Sequence, residues 1–146
     1  IIEGFRAFKD SSIAVVANVI IGFPGENEEL IMKSRDFVRK LAPNVDSVSA
    51  FIFAPYHGTE LRDLCVKEGY IEEDIVVDVN TTVSSILKNP QLPNEKLRGL
   101  QRTFPLYCKL PEKYYADIKC YPKKFGNLCR KSVAVNLYLE RRPRYG

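Results

Sequence analysis

Two short loops hold most of the residues suited to chemistry. The first is Gly22-Phe23-Pro24-Gly25-Glu26 and the second is Pro55-Tyr56-His57-Gly58-Thr59-Glu60. Glycines let backbone amides approach a ligand closely. A carboxylate such as Glu26 at a helix start can stay ionised and accept hydrogen bonds from hydroxyls or an ammonium. Tyr56 carries a phenol, and His57, the only histidine in the chain, carries an imidazole that titrates near neutrality. The first loop lacks both the G-x-G-x-x-G spacing of dinucleotide sites and the Gly-Lys-Ser/Thr of a phosphate loop. The plainer alternative is a tight turn with a capping carboxylate, and a loop histidine that is merely solvated.

Each loop ends an apolar, β-branched run and precedes a helical pattern. Ile13 to Ile21 is interrupted only by Asn18, and its apolar character on both faces predicts a central parallel strand. Asn27 is a good N-cap. Glu28 and Glu29 put negative charge in the first turn of a helix predicted over 28–41, and Arg39 and Lys40 close it before Pro43. The next strand is predicted over 48–54. Thr59 then caps a short helix over 60–68, stopped by Gly69. Strands alternating with helices point to parallel βα units, whose ligands bind at the carboxyl ends of the strands. Both loops sit there.

The flanking segments are plainer. Residues 1–9 read as the end of a helix with Ile1, Phe5 and Phe8 on one face, and a chain that opens within an element is expected to be a piece of a larger protein. Residues 71–83 read as loop or weak edge strand. Pro90 and Pro93 bracket a turn, and Asn94 caps a helix to about Leu110 that Pro105 should kink or split. Pro111 begins a further short helix through Ile118. The segment 133–139 is ambiguous between strand and helix. No signal peptide and no apolar run near the ~20 residues of a membrane span is present, so a cytoplasmic, soluble protein is expected.

The net charge of +4 divides unevenly: residues 1–73 carry 8 Lys/Arg against 12 Asp/Glu, and residues 74–146 carry 14 against 6. A basic half can mark nucleic-acid contact, although scattered lysines are commonly a solvated face. The cysteines at 65, 108, 120 and 129 form no C-x-x-C pair, and with one histidine they make a poor zinc set. Unpaired thiols are expected.

Taken together, Ile20-Ile21-Gly22-Phe23-Pro24-Gly25-Glu26 and Ala54-Pro55-Tyr56-His57-Gly58-Thr59-Glu60-Leu61 resemble the second half of the barrel of radical S-adenosylmethionine (SAM) enzymes. The stretch Leu97-Arg98-Gly99-Leu100-Gln101-Arg102-Thr103-Phe104-Pro105-Leu106-Tyr107 is similar to the helical region after the barrel in the branch with an N-terminal cobalamin-binding domain. The resemblance covers about residues 1–120. It implies an α/β fold: the second half of a TIM-type barrel over 1–70, with a mainly helical extension over 71–146.

By the same resemblance, Ile20 lies against the adenine of SAM, and Gly22, Pro24 and Gly25 keep their loop near it. Glu26 orders that loop. The backbone of Phe53, Ala54 and Pro55 hydrogen-bonds the adenine edge, and Tyr56 and His57 face the substrate. Many relatives have Thr at the place of Asn27 and Pro at the place of His57, which leaves His57 as a candidate proton donor or ligand. The whole enzyme would use a [4Fe–4S] cluster to form a 5′-deoxyadenosyl radical and act on a small-molecule or cofactor-like substrate, with cobalamin as a further cofactor in that branch. The cluster-binding Cys-x-x-x-Cys-x-x-Cys is absent here, so the chain would need the missing N-terminal part as its partner.

Two other readings compete: a Rossmann-like or flavodoxin-like module whose glycine turn binds a phosphate or nucleotide, and a small basic nucleic-acid-binding protein. Because the cysteine triplet is absent, anaerobic reconstitution of this chain with iron and sulfide should leave no thiolate-to-iron charge-transfer absorption. A stoichiometric cluster on Cys108, Cys120 and Cys129 would overturn that expectation.

Overall fold

The structure is a computed structural model that describes residues 1–77 and 84–120. Seven elements follow one another: α1 (Ile2–Arg6), β1 (Val16–Ile21), α2 (Glu28–Leu41), β2 (Ser47–Ile52), α3 (Glu60–Lys67), α4 (Asn94–Lys109) and α5 (Tyr115–Cys120). Short 3₁₀ turns at Ala42–Asn44 and Glu112–Tyr114 continue α2 and lead into α5. β1 and β2 pair in parallel, with Val16 opposite Ser47 and Ile21 opposite Ile52. The crossover between them is α2, so the chain is α/β with at least one complete βαβ unit. None of the helices among the described residues is long and apolar enough to cross a membrane.

The caps explain where the helices begin. Asn27 has extended backbone geometry, and its side chain accepts from the Leu30 amide at 3.0 Å. Thr59 does the same for Arg62 at 3.3 Å and donates its hydroxyl to the Tyr56 carbonyl at 2.7 Å. Apolar residues at helical spacing then turn inward. Ile31, Val38 and Leu41 of α2 and Leu97, Leu100, Phe104 and Cys108 of α4 close over Ala17, Ile21, Val48, Ala50 and Ile52 of the sheet. One sheet face is thus dry. On the other face Val16, Asn18, Ile20 and Phe51 are exposed, and Ser49 lies opposite Asn18.

Several expectations need correction. β1 begins at Val16 rather than at residue 13, and among the described residues it has one strand neighbour, β2, and one exposed face. In α1 the inward residues are Ile2 and Phe5, whereas Ile1 and Phe8 are exposed, because the helix spans only Ile2–Arg6, with Ile1 at its N-cap and Phe8 in the turn beyond it. Asn94 is not an N-cap. It is the first residue of α4 after Pro93, and its side chain instead bridges the Ser85 amide and carbonyl, each at 2.8 Å. Pro105 does not split α4, which runs through it to Lys109, since the flanking Thr103, Phe104, Leu106 and Tyr107 are all buried. Residues 71–77 have no regular structure. The weak-strand expectation at 81–83, the segment 133–139 and the basic tail lie outside the described residues.

Cations join the two helices that cover the sheet. Arg39, in the last turn of α2, donates to the carbonyls of Tyr107 at 2.8 Å and Leu110 at 2.7 Å. Lys109, in the last turn of α4, donates to Ala42 at 2.9 Å and Val45 at 2.5 Å. At the other end, Gly22 is buried with φ +86°, and a methyl group built on it would lie 2.8 Å from Leu97 Cδ2. Leu97 therefore occupies the space that a side chain at 22 would need.

This contact is testable by a double-mutant cycle. Leu97→Ala should cost about 2–5 kcal/mol through the cavity it leaves. Gly22→Ala should be costly through overlap and left-handed strain, the strain alone being about 1–2 kcal/mol. In the Leu97→Ala background Gly22→Ala should lose the overlap and retain the strain, so its cost by urea denaturation should fall. An unchanged cost would show that Leu97 does not hold the turn.

Candidate functional site

Parallel pairing brings the two chemistry-bearing loops to one edge of the sheet. The ladder extends one step beyond the strands, with the Phe53 amide donating to the Ile21 carbonyl at 2.8 Å. Immediately past that bond the chains diverge into Gly22–Glu26 and Ala54–Thr59. The rings of Phe23 and Phe53 pack against each other with centroids 4.8 Å apart. Phe53 is itself buried with Cys65, Ile71 and Leu87. The first loop is thereby fastened to the end of β2 as well as to β1.

The first loop is closed by its own carboxylate. Glu26 Oε2 accepts from the Gly22 amide at 2.5 Å and the Phe23 amide at 3.1 Å. Positive φ at Gly22 (+86°) and Gly25 (+74°) lets the chain fold back far enough for this. Burial raises the Glu26 pKa above the usual carboxylate range, and the two amide hydrogen bonds pull in the opposite direction without cancelling the effect. The Glu26 carbonyl is held in turn by Asn89 Nδ2 at 2.9 Å. The carboxylate thus occupies the Gly22 and Phe23 amides, the two donors that close the turn.

The remaining residues divide by exposure. Ile20 is 53 % exposed and lies beside Phe51, 40 % exposed, on the bare face at the carboxyl end of the sheet. Pro55 is buried, whereas Tyr56 and His57 project into solvent. Pro24 and Ala54 are half-buried, and Gly25 is exposed. Around β2's end, the Phe53 amide, the Ala54 carbonyl and the Pro55 carbonyl are taken by Ile21, Tyr56 and Arg62. The Phe53 carbonyl and the Ala54 amide have no hydrogen-bond partner among the described residues. They form an acceptor and a donor on adjacent residues.

Ile20, Gly22, Glu26 and Phe53–His57 thus share one edge. Sequence reasoning missed four further residues. Phe51 follows from the strand register once Ile20 is placed. Leu97 and Asn89 act across long loops and left no local signal. Arg62 is buried on an otherwise ordinary helix face, and charge alone marks it as exposed. Among the described residues no group of three or more His, Cys, Asp or Glu is gathered as a metal would require. Cys65 and Cys108 are free and buried, and burial pushes the Cys108 thiol up to about 12. Neither is poised to be a thiolate ligand.

No family model matches the chain, and neither the curated proteins nor the solved structures provide a match.

The raised pKa of Glu26 has a defined sign. The folded state holds the proton more tightly than the unfolded chain, so stability falls as pH rises from the ordinary glutamate range through the folded value and is level above it. Glu26→Gln removes this titration. Wild type should therefore lose stability relative to the variant across that mildly acidic window, and the Glu26 carboxyl ¹³C resonance should titrate above the normal range. A midpoint at or below that range would contradict the site as described.

Proposed function

We propose that this chain is the C-terminal part of a radical SAM enzyme, contributing βα units of the barrel's second half and one wall of the SAM pocket. The observation that carries this is the pairing geometry: two parallel strands deliver two locked loops to one edge, with Ile20 and Phe51 side by side on the bare face beneath them. An apolar pair of this kind suits the flat face of an adenine. The free Phe53 carbonyl and Ala54 amide suit its polar edge, one accepting from an exocyclic amine and the other donating to a ring nitrogen. Glu26 keeps the loop in shape through the Gly22 and Phe23 amides and has no proton to move in this role. Tyr56 and His57, both exposed, face outward from the same loop toward a small-molecule or cofactor-like substrate.

The residues present do not fit the iron–sulfur cluster. The cysteine triplet is absent from the sequence, and the two thiols described are buried, with burial raising the pKa of each. The cluster would therefore be held by the N-terminal part of the whole enzyme, where it supplies the electron for reductive cleavage of SAM. Cobalamin belongs to the same reading through the helical stretch at 97–107, and the resemblance puts its binding domain in the N-terminal part of the whole enzyme. Cytoplasmic placement likewise accompanies the enzymatic reading.

Ile20→Asp in the complete enzyme tests the proposal. Ile20 lies outside the helix-side core, so the variant should fold and keep its iron. Loss of apolar contact and desolvation of the new carboxylate should cost about 1–3 kcal/mol, roughly ten- to hundredfold in SAM affinity. Iron content and SAM affinity are measured on one preparation. Unchanged affinity in a well-folded, iron-replete variant would remove Ile20 from the pocket wall, and a complete enzyme that binds neither iron nor SAM would end the reading.

A further inference from the structure

We infer that Arg62 is a positioning residue that holds the loop after β2 in its working shape; its bearing on SAM rests on the function proposed above. Arg62 lies in the first turn of α3 and is 4 % exposed. A buried guanidinium is costly unless its donors are used. Here Nη1 donates to the Pro55 carbonyl at 3.1 Å, and Nη2 donates to the carbonyls of Glu73 at 2.9 Å and Ile75 at 2.7 Å. Among the described residues no carboxylate lies within ion-pair distance of it. The charge is thus met by backbone dipoles, and those dipoles belong to two segments without regular structure.

This arrangement does something that a core ion pair would not. Pro55 sits between the Ala54 amide and the Tyr56–His57 pair, and its carbonyl direction sets the plane of the peptide that leads to Tyr56. Residues 73–75 have few other ties: Ile75 donates to the Glu72 carbonyl at 3.4 Å, and Lys88 meets Glu72 in an exposed pair. Arg62 therefore clamps the loop to the 73–75 segment, with α3 as the rigid support. The planar fork of the guanidinium reaches all three carbonyls from one rotamer, which a lysine ammonium cannot do in the same geometry. Thr59 supports the clamp by capping α3 at Arg62 and tethering the Tyr56 carbonyl.

The test compares Arg62→Met and Arg62→Lys with wild type by amide hydrogen exchange, using the His57 imidazole resonance, unique in this chain, as a second reporter. Loss of the clamp should speed exchange at the Tyr56 amide, which donates to the Ala54 carbonyl, on the order of tenfold, with less effect at β1 and β2 amides such as Val19 and Ala50. Arg62→Lys should lie between the two and shift the His57 resonance less. If Arg62→Met does not fold, the Lys variant is compared with wild type by the same ratio of loop to strand exchange. Exchange that rises uniformly, or not at all in the loop, overturns the inference, because a merely stabilising residue would act on the whole domain. In the complete enzyme, Arg62→Met should also weaken SAM binding. A loosened loop with wild-type SAM affinity, in an enzyme whose Ile20→Asp variant does lose affinity, overturns the link to the cofactor. Failure of wild type to bind SAM sinks the functional reading instead, and the exchange ratio still decides the clamp.

Discussion

The helix layer depends on an exchange of cations between two helix ends. A helix leaves its last carbonyls unpaired and its C-terminus partially negative. In this chain each of the two covering helices satisfies the other's carbonyls: Arg39 of α2 reaches the end of α4, and Lys109 of α4 reaches the end of α2. The two ends are thereby held at one level. Burial lowers the Lys109 pKa, and nearby Asp46 pulls it back in the other direction. The same Arg39 lies 5.8 Å from the Tyr115 ring centre, and the Tyr115 hydroxyl donates to the Tyr107 carbonyl at 3.1 Å. α5 is docked by the groups that join α2 to α4.

With α4 held at its far end by Lys109 and at its near end by Leu97 against Gly22, the sheet face beneath it has little freedom. The carboxyl edge inherits that rigidity. Both site loops begin at residues already fixed in the ladder, and each is closed by a short-range bond of its own, from Glu26 in one and Thr59 in the other. The Phe23–Phe53 contact then couples them. Preorganisation of this kind lowers the entropic cost of binding, because the loops are ordered before a ligand arrives.

Much of this was legible in the residue order, and the limits have physical causes. The bounds of α2 followed from Asn27, the acidic first turn and Pro43, since capping and proline act within a few residues. The parallel pairing followed from two β-branched runs with a helical crossover between them. Asn94 deceived because an asparagine before a helix looks like a cap, whereas its amide is better used in mimicking a strand partner for Ser85. Pro105 deceived because local sterics predict a break, while buried neighbours on both sides carry the helix through it. Within the site, Glu26 was legible as a loop carboxylate. Its bonds to the Gly22 and Phe23 amides, Leu97 filling the space at Gly22 and the buried guanidinium of Arg62 depend on three-dimensional packing that no spacing rule encodes.

The bare sheet face carries a polar rung across its middle. Asn18 and Ser49 sit opposite each other, with Val16 below and Ile20 beside Phe51 above. An amide and a hydroxyl together offer several donors and acceptors, and a dry apolar layer laid over them would leave each unsatisfied at about 1–3 kcal/mol. The face is therefore apolar at its ends and polar, or wet, at its waist. The strand sequence thus sets a pattern of wettability on this face, and a wholly apolar layer would match it poorly.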